Sequence, residues 1–281
     1  MMMQRVRVLS LLCFLILLAQ PLLTWSDEPA LSAITVTSPY QPTPQRVRIL
    51  RSGATLNPEC SLTQPITLVY VLPVEPGSQT RWGDAVKAIR EAGGVEKSNV
   101  VFVFPEFAQL PWYADHPTEK TIAQESYFLK SVIPAVDKHL VLEPRQCRRM
   151  LIGFSKSGWG AFCLLLRHPE TFEKAVAWDA PLMMDAPGKY GSGPIFGTPE
   201  NFKNYQVSEL LSQTDIENFG KETRLISLGY DNFRDHHLRI HKLMQELKIP
   251  HIHRDGPQRK HHWESGWVKE AVDFLLVDPA Q

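Results

Sequence analysis

Ser155 lies where a short apolar segment changes into a stretch of small residues, within LIGFSKSGWG. Gly153 comes two residues before it and Ser157 two residues after it. A nucleophile on a sharp strand-to-helix turn needs small side chains at both positions, and G-x-S-x-G is the common form. The pattern predicts Ser155 as the nucleophile, although a helix N-cap serine would fit it as well. Ser157 is a second candidate, but Trp159, two residues beyond it, would crowd the turn.

A nucleophilic serine needs a base that takes its proton and an acid that orients the base. When the serine follows a parallel strand in this way, the acid and then the histidine come later in the chain. Asp231 follows the apolar run that ends at Leu228, and His261 precedes the last helical segment. We therefore expect Ser155, Asp231 and His261 to form a catalytic triad.

Each of the two partners has an alternative close by. Asp235 could serve as the acid, but it falls in the first turn of a predicted helix, where the helix dipole already favours a negative charge. His262, next to His261, is the alternative base. We weigh Asp231 over Asp235 because the orienting acid is expected on the turn that leaves its strand.

The developing negative charge on the substrate oxygen needs backbone donors. One is the N–H of Lys156, the residue after the nucleophile, since that role requires only the amide. A second donor is expected directly after the strand that ends at Leu72, from Val74 or Glu75.

Continuous apolar runs alternate with segments of helical period along the chain. Such runs are typical of strands buried on both faces, and the alternation predicts an α/β fold with a mostly parallel sheet and helices on both faces. The predicted strands are 45–50, 66–72, 100–104, 150–153, 175–178 and 225–228, and the predicted helices are 82–92, 122–139, 158–168, 238–247 and 268–276. A segment rich in Gly and Pro interrupts this order, so an insertion is expected at about 181–220.

The sequence resembles the esterase D family of α/β-hydrolases over roughly residues 63–276. The similarity is carried by LIGFSKSGWGAFCLLLRHPETFEKAVAWDAP and by KHHWESGW, in which His261 falls on the family's catalytic histidine. The resemblance implies the α/β-hydrolase fold and an ester-hydrolysing or acyl-transferring activity without a cofactor. The chain departs from the family at Pro73-Val74-Glu75, where HG or a similar pair is common, and at Lys156.

The first 26 residues have the pattern of a secretory signal peptide. Arg5 and Arg7 precede an apolar run from Val8 to Ala19, and small residues stand before the expected cleavage site at Ser26. We expect a mature chain in which 27–62 is an N-terminal extension with short antiparallel strands and 63–281 is the catalytic domain. The predicted location is secreted or periplasmic, without a stable membrane span after cleavage.

Composition excludes several other classes of function. Loss of the leader's two arginines changes the formal charge from 30 − 30 = 0 to 28 − 30 = −2, which provides no basic surface for nucleic acid. Cys60, Cys147 and Cys163 remain, without the spacing of a zinc site. Histidines at i, i+4 (His237 and His241) and at i, i+2 (His251 and His253) could each share a metal, but no HExxH motif accompanies them.

The sequence favours an exported serine hydrolase that acts on a small-molecule or carbohydrate-linked carboxylic ester through an acyl-enzyme on Ser155. No cofactor and no metal are expected, and acyl transfer is a possible outcome of the same chemistry. Two alternatives remain open: a catalytically silent α/β-hydrolase scaffold that binds a carbohydrate or protein partner, and a metal-binding protein built on the histidine cluster.

Overall fold

A computed structural model describes residues 29–52, 65–97, 99–142 and 147–276 of the chain. The signal peptide prediction, residues 1–26, and Cys60 lie outside these residues. The described residues form an α/β fold in which one eight-stranded sheet has the order β1-β2-β4-β3-β5-β6-β7-β8. The strands are β1 (Ala30–Val36), β2 (Gln45–Arg51), β3 (Ile66–Val71), β4 (Val100–Pro105), β5 (Cys147–Phe154), β6 (Lys174–Trp178), β7 (Leu225–Tyr230) and β8 (His251–Gln258).

Six of the strands, β3 to β8, run parallel, whereas β1 and β2 join the edge beside β4 in antiparallel register. All residues of β4 and β6 are buried, because helices cover both faces of the sheet. The chain reverses its direction of winding between β3 and β5. In open sheets of this kind, ligands bind beyond the carboxyl ends of the strands.

The helices connect these strands. They are α1 (Ala85–Ala92), α2 (Gln124–Tyr127), α3 (Ile133–Leu140), α4 (Lys156–Arg167), α5 (Gly193–Phe196), α6 (Pro199–Lys203), α7 (Val207–Ser212), α8 (Ile216–Phe219), α9 (Arg234–Glu246) and α10 (Val268–Leu276), and a π-helical turn (Phe128–Val132) joins α2 to α3. Among the described helices, none is both long and apolar enough to cross a bilayer.

Two apolar cores lie on opposite sides of the sheet. One packs α3, α4 and α9 against the sheet and includes Phe128 and Trp159. The other packs α1 and α10 against the opposite face, where Trp178 and Trp267 stack with ring centroids 5.4 Å apart. Both cores reach the carboxyl ends of the strands, so the loops there rest on a rigid base.

The predicted helices and buried strands recur in the structure with boundaries shifted by a few residues. The insertion after β6 contains the short helices α5 to α8. Two of the eight strands, β1 and β8, had no predicted range. β1 alternates half-buried and exposed residues at the sheet edge, and its ALSAITV sequence does not form the continuous apolar run of a central strand. Its pairing with β2 identifies it as a strand.

Candidate active site

Ser155 occupies the turn between β5 and α4, with backbone angles φ 53° and ψ −134°. Few residues with a side chain adopt such angles, and strain of this kind is concentrated at functional sites. The turn is possible because position 153 is glycine: a Cβ there would lie 2.4 Å from the backbone carbon and oxygen of Ser157. The turn therefore has the local geometry that the small-residue pattern predicts.

Ser157 has a different role in the same turn. Its hydroxyl donates to the carbonyl of Phe154 at 2.9 Å and accepts from the Phe154 N–H at 3.0 Å. The residue is completely buried. A hydroxyl held in this way braces the turn and cannot reach a substrate, so Ser155 remains the candidate nucleophile.

His261 is held by a buried carboxylate that the sequence argument did not select. Its Nδ1 lies 2.6 Å from Oδ2 of Asp179, the residue directly after β6. Asp179 has no solvent exposure, and its carboxylate also accepts from the N–H groups of Asn232 at 2.9 Å and Phe233 at 2.7 Å. Burial alone would raise the pKa of Asp179, but these hydrogen bonds, led by that from His261, outweigh burial and lower the pKa. Asp179 is therefore ionised at neutral pH and can fix the imidazole with Nε2 free as a base.

Aromatic rings surround the imidazole of His261. Trp82 and Phe154 meet it edge to face with centroids 5.3 and 5.0 Å away, and Phe233 lies 5.9 Å away. The histidine side chain remains 11% exposed. The rings restrict its orientation and shield the Asp179 contact from water, which strengthens that hydrogen bond.

Ser155 and His261 line one cavity of about 400 Å³ at the carboxyl ends of the strands. The other residues that line it are Trp82, Trp112, Lys156, Pro181, Tyr190, Asn232 and Phe233. A larger cavity of about 590 Å³ lies at the amino ends of β5 and β6, bordered by Arg148 and Glu173. The smaller cavity is the candidate site because Ser155 and His261 both line it.

The structure does not bring the two expected acids to His261. The carboxylate of Asp231 accepts from the Gln258 side chain at 3.3 Å, and Asp235 is 76% exposed beside Arg239. The reason is that β7 continues to Tyr230. The turn after it therefore places backbone N–H groups against Asp179, the residue that contacts His261. The carboxylate that contacts His261 thus follows the strand before the expected one.

A signal for Asp179 was present in the sequence. It follows the predicted strand 175–178 directly, in AVAWDAP, and it satisfies the same order of serine, acid and histidine. A carboxylate at the end of a strand buried on both faces must find partners, and the sequence alone did not show which histidine would supply them.

The alternative base, His262, does not line the cavity. Its ring packs on Gly83, where a Cβ would lie 2.4 Å from the ring, and its Nδ1 accepts from the N–H of Glu264. His262 therefore caps a turn before α10.

The histidine cluster also has a structural explanation. His241 Nδ1 lies 2.7 Å from His251 Nε2, and the rings of His241 and His253 stack 4.3 Å apart. His237 accepts from the N–H of Ala180 at 2.7 Å and contacts Ser227 at 2.6 Å. Within the described residues no group of three or more such side chains is arranged to hold a metal ion.

The predicted oxyanion donors lie at the start of α4 and in the loop after β3. The N–H of Lys156 is the first of α4 and has no acceptor within the helix, and the positive end of the helix dipole lies there. Val74 and Glu75 follow β3, and both are buried, with exposures of 4% and 8%. The amino group of Lys156 donates to the Val74 carbonyl at 3.0 Å, which ties the two parts of the predicted oxyanion site together.

Part of the sequence is similar to a known family. A family model described as "Putative esterase" matches residues 81–214. No curated protein is similar enough in sequence to match the chain.

Solved structures of similar fold cover 89% of this chain at low sequence identity. A ferulic acid esterase has a TM-score of 0.67, 16% identity and 98% of its own chain covered. FphF, a fluorophosphonate-binding serine hydrolase of Staphylococcus aureus, has a TM-score of 0.67, 17% identity and 99% covered. An S-formylglutathione hydrolase of Agrobacterium tumefaciens has a TM-score of 0.63, 14% identity and 95% covered.

The structural likeness shows the fold, and the esterase family model indicates ester hydrolysis. The matched segment contains both Ser155 and Asp179. The chain is therefore an esterase with the fold of these solved hydrolases.

Proposed function

We propose that the protein hydrolyses carboxylic esters through an acyl-enzyme on Ser155, with His261 as the base and Asp179 as the acid that orients it. The observation that supports this best is the 2.6 Å hydrogen bond between His261 and buried Asp179, at a cavity that Ser155 shares. The Ser155 hydroxyl attacks the ester carbonyl while His261 Nε2 takes its proton. His261 then protonates the leaving alcohol, and water activated by the same imidazole releases the acid.

Charge on the carbonyl oxygen is stabilised at the N-terminus of α4. The Lys156 N–H and an N–H of the loop after β3, from Val74 or Glu75, are the proposed donors. Preorganised donors of this kind contribute on the order of 3–4 kcal/mol each to catalysis.

The shape of the cavity supports an ester with an apolar or aromatic group. Trp82, Trp112, Tyr190 and Phe233 supply flat apolar surfaces within about 400 Å³. Cavities of this size hold a small ligand or one part of a larger one. Either a small-molecule ester or the ester group of a carbohydrate would fit this description.

We further propose that the protein is exported and that its mature chain begins near Asp27. The support is the charged start, the apolar run and the small residues before Ser26. N-terminal sequencing of the exported protein tests this, and an intact Met1 in that fraction would show that the segment is retained as an anchor.

Labelling with a fluorophosphonate probe tests the chemistry. The wild-type protein should be labelled and should hydrolyse p-nitrophenyl esters, whereas Ser155→Ala should lose labelling and about 10⁶-fold in kcat. Ser157→Ala is the matched control and should still be labelled, because that hydroxyl contacts Phe154. A folded wild-type protein that neither reacts with the probe nor turns over any ester would instead favour a silent binding scaffold.

A further inference from the structure

Two consecutive carbonyl groups in the loop after β3 are held by side chains from distant parts of the chain. The hydroxyl of Tyr113 donates to the Pro73 carbonyl at 2.5 Å, and the amino group of Lys156 donates to the Val74 carbonyl at 3.0 Å. Val74 itself is almost completely buried. Both peptide groups that flank Val74 are therefore fixed in direction.

The direction of a carbonyl determines the direction of the N–H in the same peptide group. In a planar trans peptide the two point to opposite sides. Tyr113 therefore sets the direction of the Val74 N–H, and Lys156 sets that of the Glu75 N–H. In the described part of the chain, neither of these N–H groups donates to a backbone acceptor.

Tyr113 is itself held in one place. Its ring is completely buried, and its N–H donates to the Gln124 side chain at 3.0 Å. The ring lies so close to α4 that a Cβ on Gly160 would be 2.0 Å from it. Glycine at position 160 thus allows the hydroxyl to reach the loop.

The amino group of Lys156 is poorly solvated where it contacts Val74. Burial lowers the pKa of the Lys156 amino group, nearby Arg81 lowers it further, and the carboxylate of Glu75 acts in the opposite direction. A buried ammonium group needs an acceptor, and the Val74 carbonyl supplies one. Lys156 also follows Ser155 directly, so its backbone and side chain act on two sides of the same site.

We infer that Lys156 and Tyr113 are positioning residues that hold the loop around Val74 so that its N–H groups can meet the oxyanion formed at Ser155. The inference rests on the proposed function and extends it to two side chains that do not touch the reacting atoms. It also gives a physical role to the lysine and to the Pro73-Val74-Glu75 sequence.

Four variants test the inference. Lys156→Met and Tyr113→Phe each remove one hydrogen bond to the loop, and Lys156→Arg retains a donor. Lys242→Met is a control at an exposed lysine. We would measure kcat and KM for a p-nitrophenyl ester, and the inhibition constant of a trifluoromethyl ketone whose serine adduct carries an oxyanion. Folding would be checked by thermal unfolding.

We expect Lys156→Met and Tyr113→Phe each to lower kcat by about 10- to 100-fold, less than the 10²- to 10³-fold loss when a donor itself is removed. KM should change little, and the ketone should bind more weakly by a similar factor. In the double variant, kcat should fall by less than the product of the two single fold-losses, since both residues act on one loop. Lys156→Arg should recover part of kcat, and Lys242→Met should match the wild type.

The outcomes separate this inference from the proposed function. If the wild-type protein hydrolyses no ester and binds no ketone, the proposed function fails. If the wild type is active while both folded variants keep its kcat and its ketone affinity, the positioning role is refuted alone. A change in KM without a change in kcat would refute it as well, because it would indicate a role in ground-state binding.

Discussion

Replacing Asp179 with asparagine should remove almost all activity while the protein remains folded. The two carboxylate oxygens accept three hydrogen bonds: Oδ1 from the Phe233 N–H, and Oδ2 from the Asn232 N–H and from His261. In the Asp179→Asn variant one of these positions becomes an NH₂ group. In either orientation that NH₂ faces a backbone N–H, and the negative charge that stabilises the imidazolium is lost.

The size of the expected losses in kcat and in stability follows from these contacts. We expect kcat to fall by about 10⁴-fold, the loss known when the acid of a serine triad becomes an amide. This corresponds to about 5.5 kcal/mol of transition-state stabilisation. One buried N–H left without an acceptor should also lower the free energy of unfolding by about 1–3 kcal/mol. Kinetics must therefore be compared at a matched folded fraction, established by denaturant unfolding.

The matched controls are Asp231→Asn and Asp235→Asn. Their carboxylates contact Gln258 and Arg239 and do not contact His261, so kcat should stay within about threefold, as for exposed substitutions that change free energies by about 0.5 kcal/mol. Initial rates with a p-nitrophenyl ester would decide the matter. Near-normal kcat in folded Asp179→Asn, together with a large loss in Asp231→Asn, would refute the assignment.

Three further predictions concern pH, the serine turn and metals. Burial lowers the pKa of His237 to about 3 and that of His253 to about 4. An unfolded histidine titrates near pH 6.5, so the free energy of unfolding should fall as the pH drops from about 6.5 toward 4. The slope should be at most about 1.4 kcal/mol per pH unit for each histidine. Urea unfolding at several pH values measures this, and a flat profile would contradict it. Gly153→Ala should lower the free energy of unfolding by about 3 kcal/mol or more, because the new Cβ would lie 2.4 Å from backbone atoms of Ser157; an unchanged melting temperature would show that the turn can relax. EDTA should leave ester hydrolysis unchanged, since the proposed chemistry uses side chains and amide donors; loss in EDTA that zinc restores would indicate a metal role for the histidines.

Much of the fold could be predicted because its signals are local. Continuous apolar runs such as 66–72 mark strands buried on both faces, and segments of helical period mark the helices between them. The edge strand β1 lacks such a run, since one side of it faces solvent, and its assignment depends on pairing with β2. Export and the mature N-terminus remain predictions from the first 26 residues.

For the active site, the sequence by itself determined the local element: the small residues around Ser155 specify a turn that the backbone can adopt, whatever else surrounds it. Only the tertiary structure decided which carboxylate holds His261. The ends of β6 and β7 lie side by side, although they are 52 residues apart in the chain. Asp179 follows β6 and contacts His261, whereas the turn after β7 supplies backbone N–H groups that donate to Asp179. Strand pairing and chain path set that choice, and neither can be derived from the spacing between residues along the sequence.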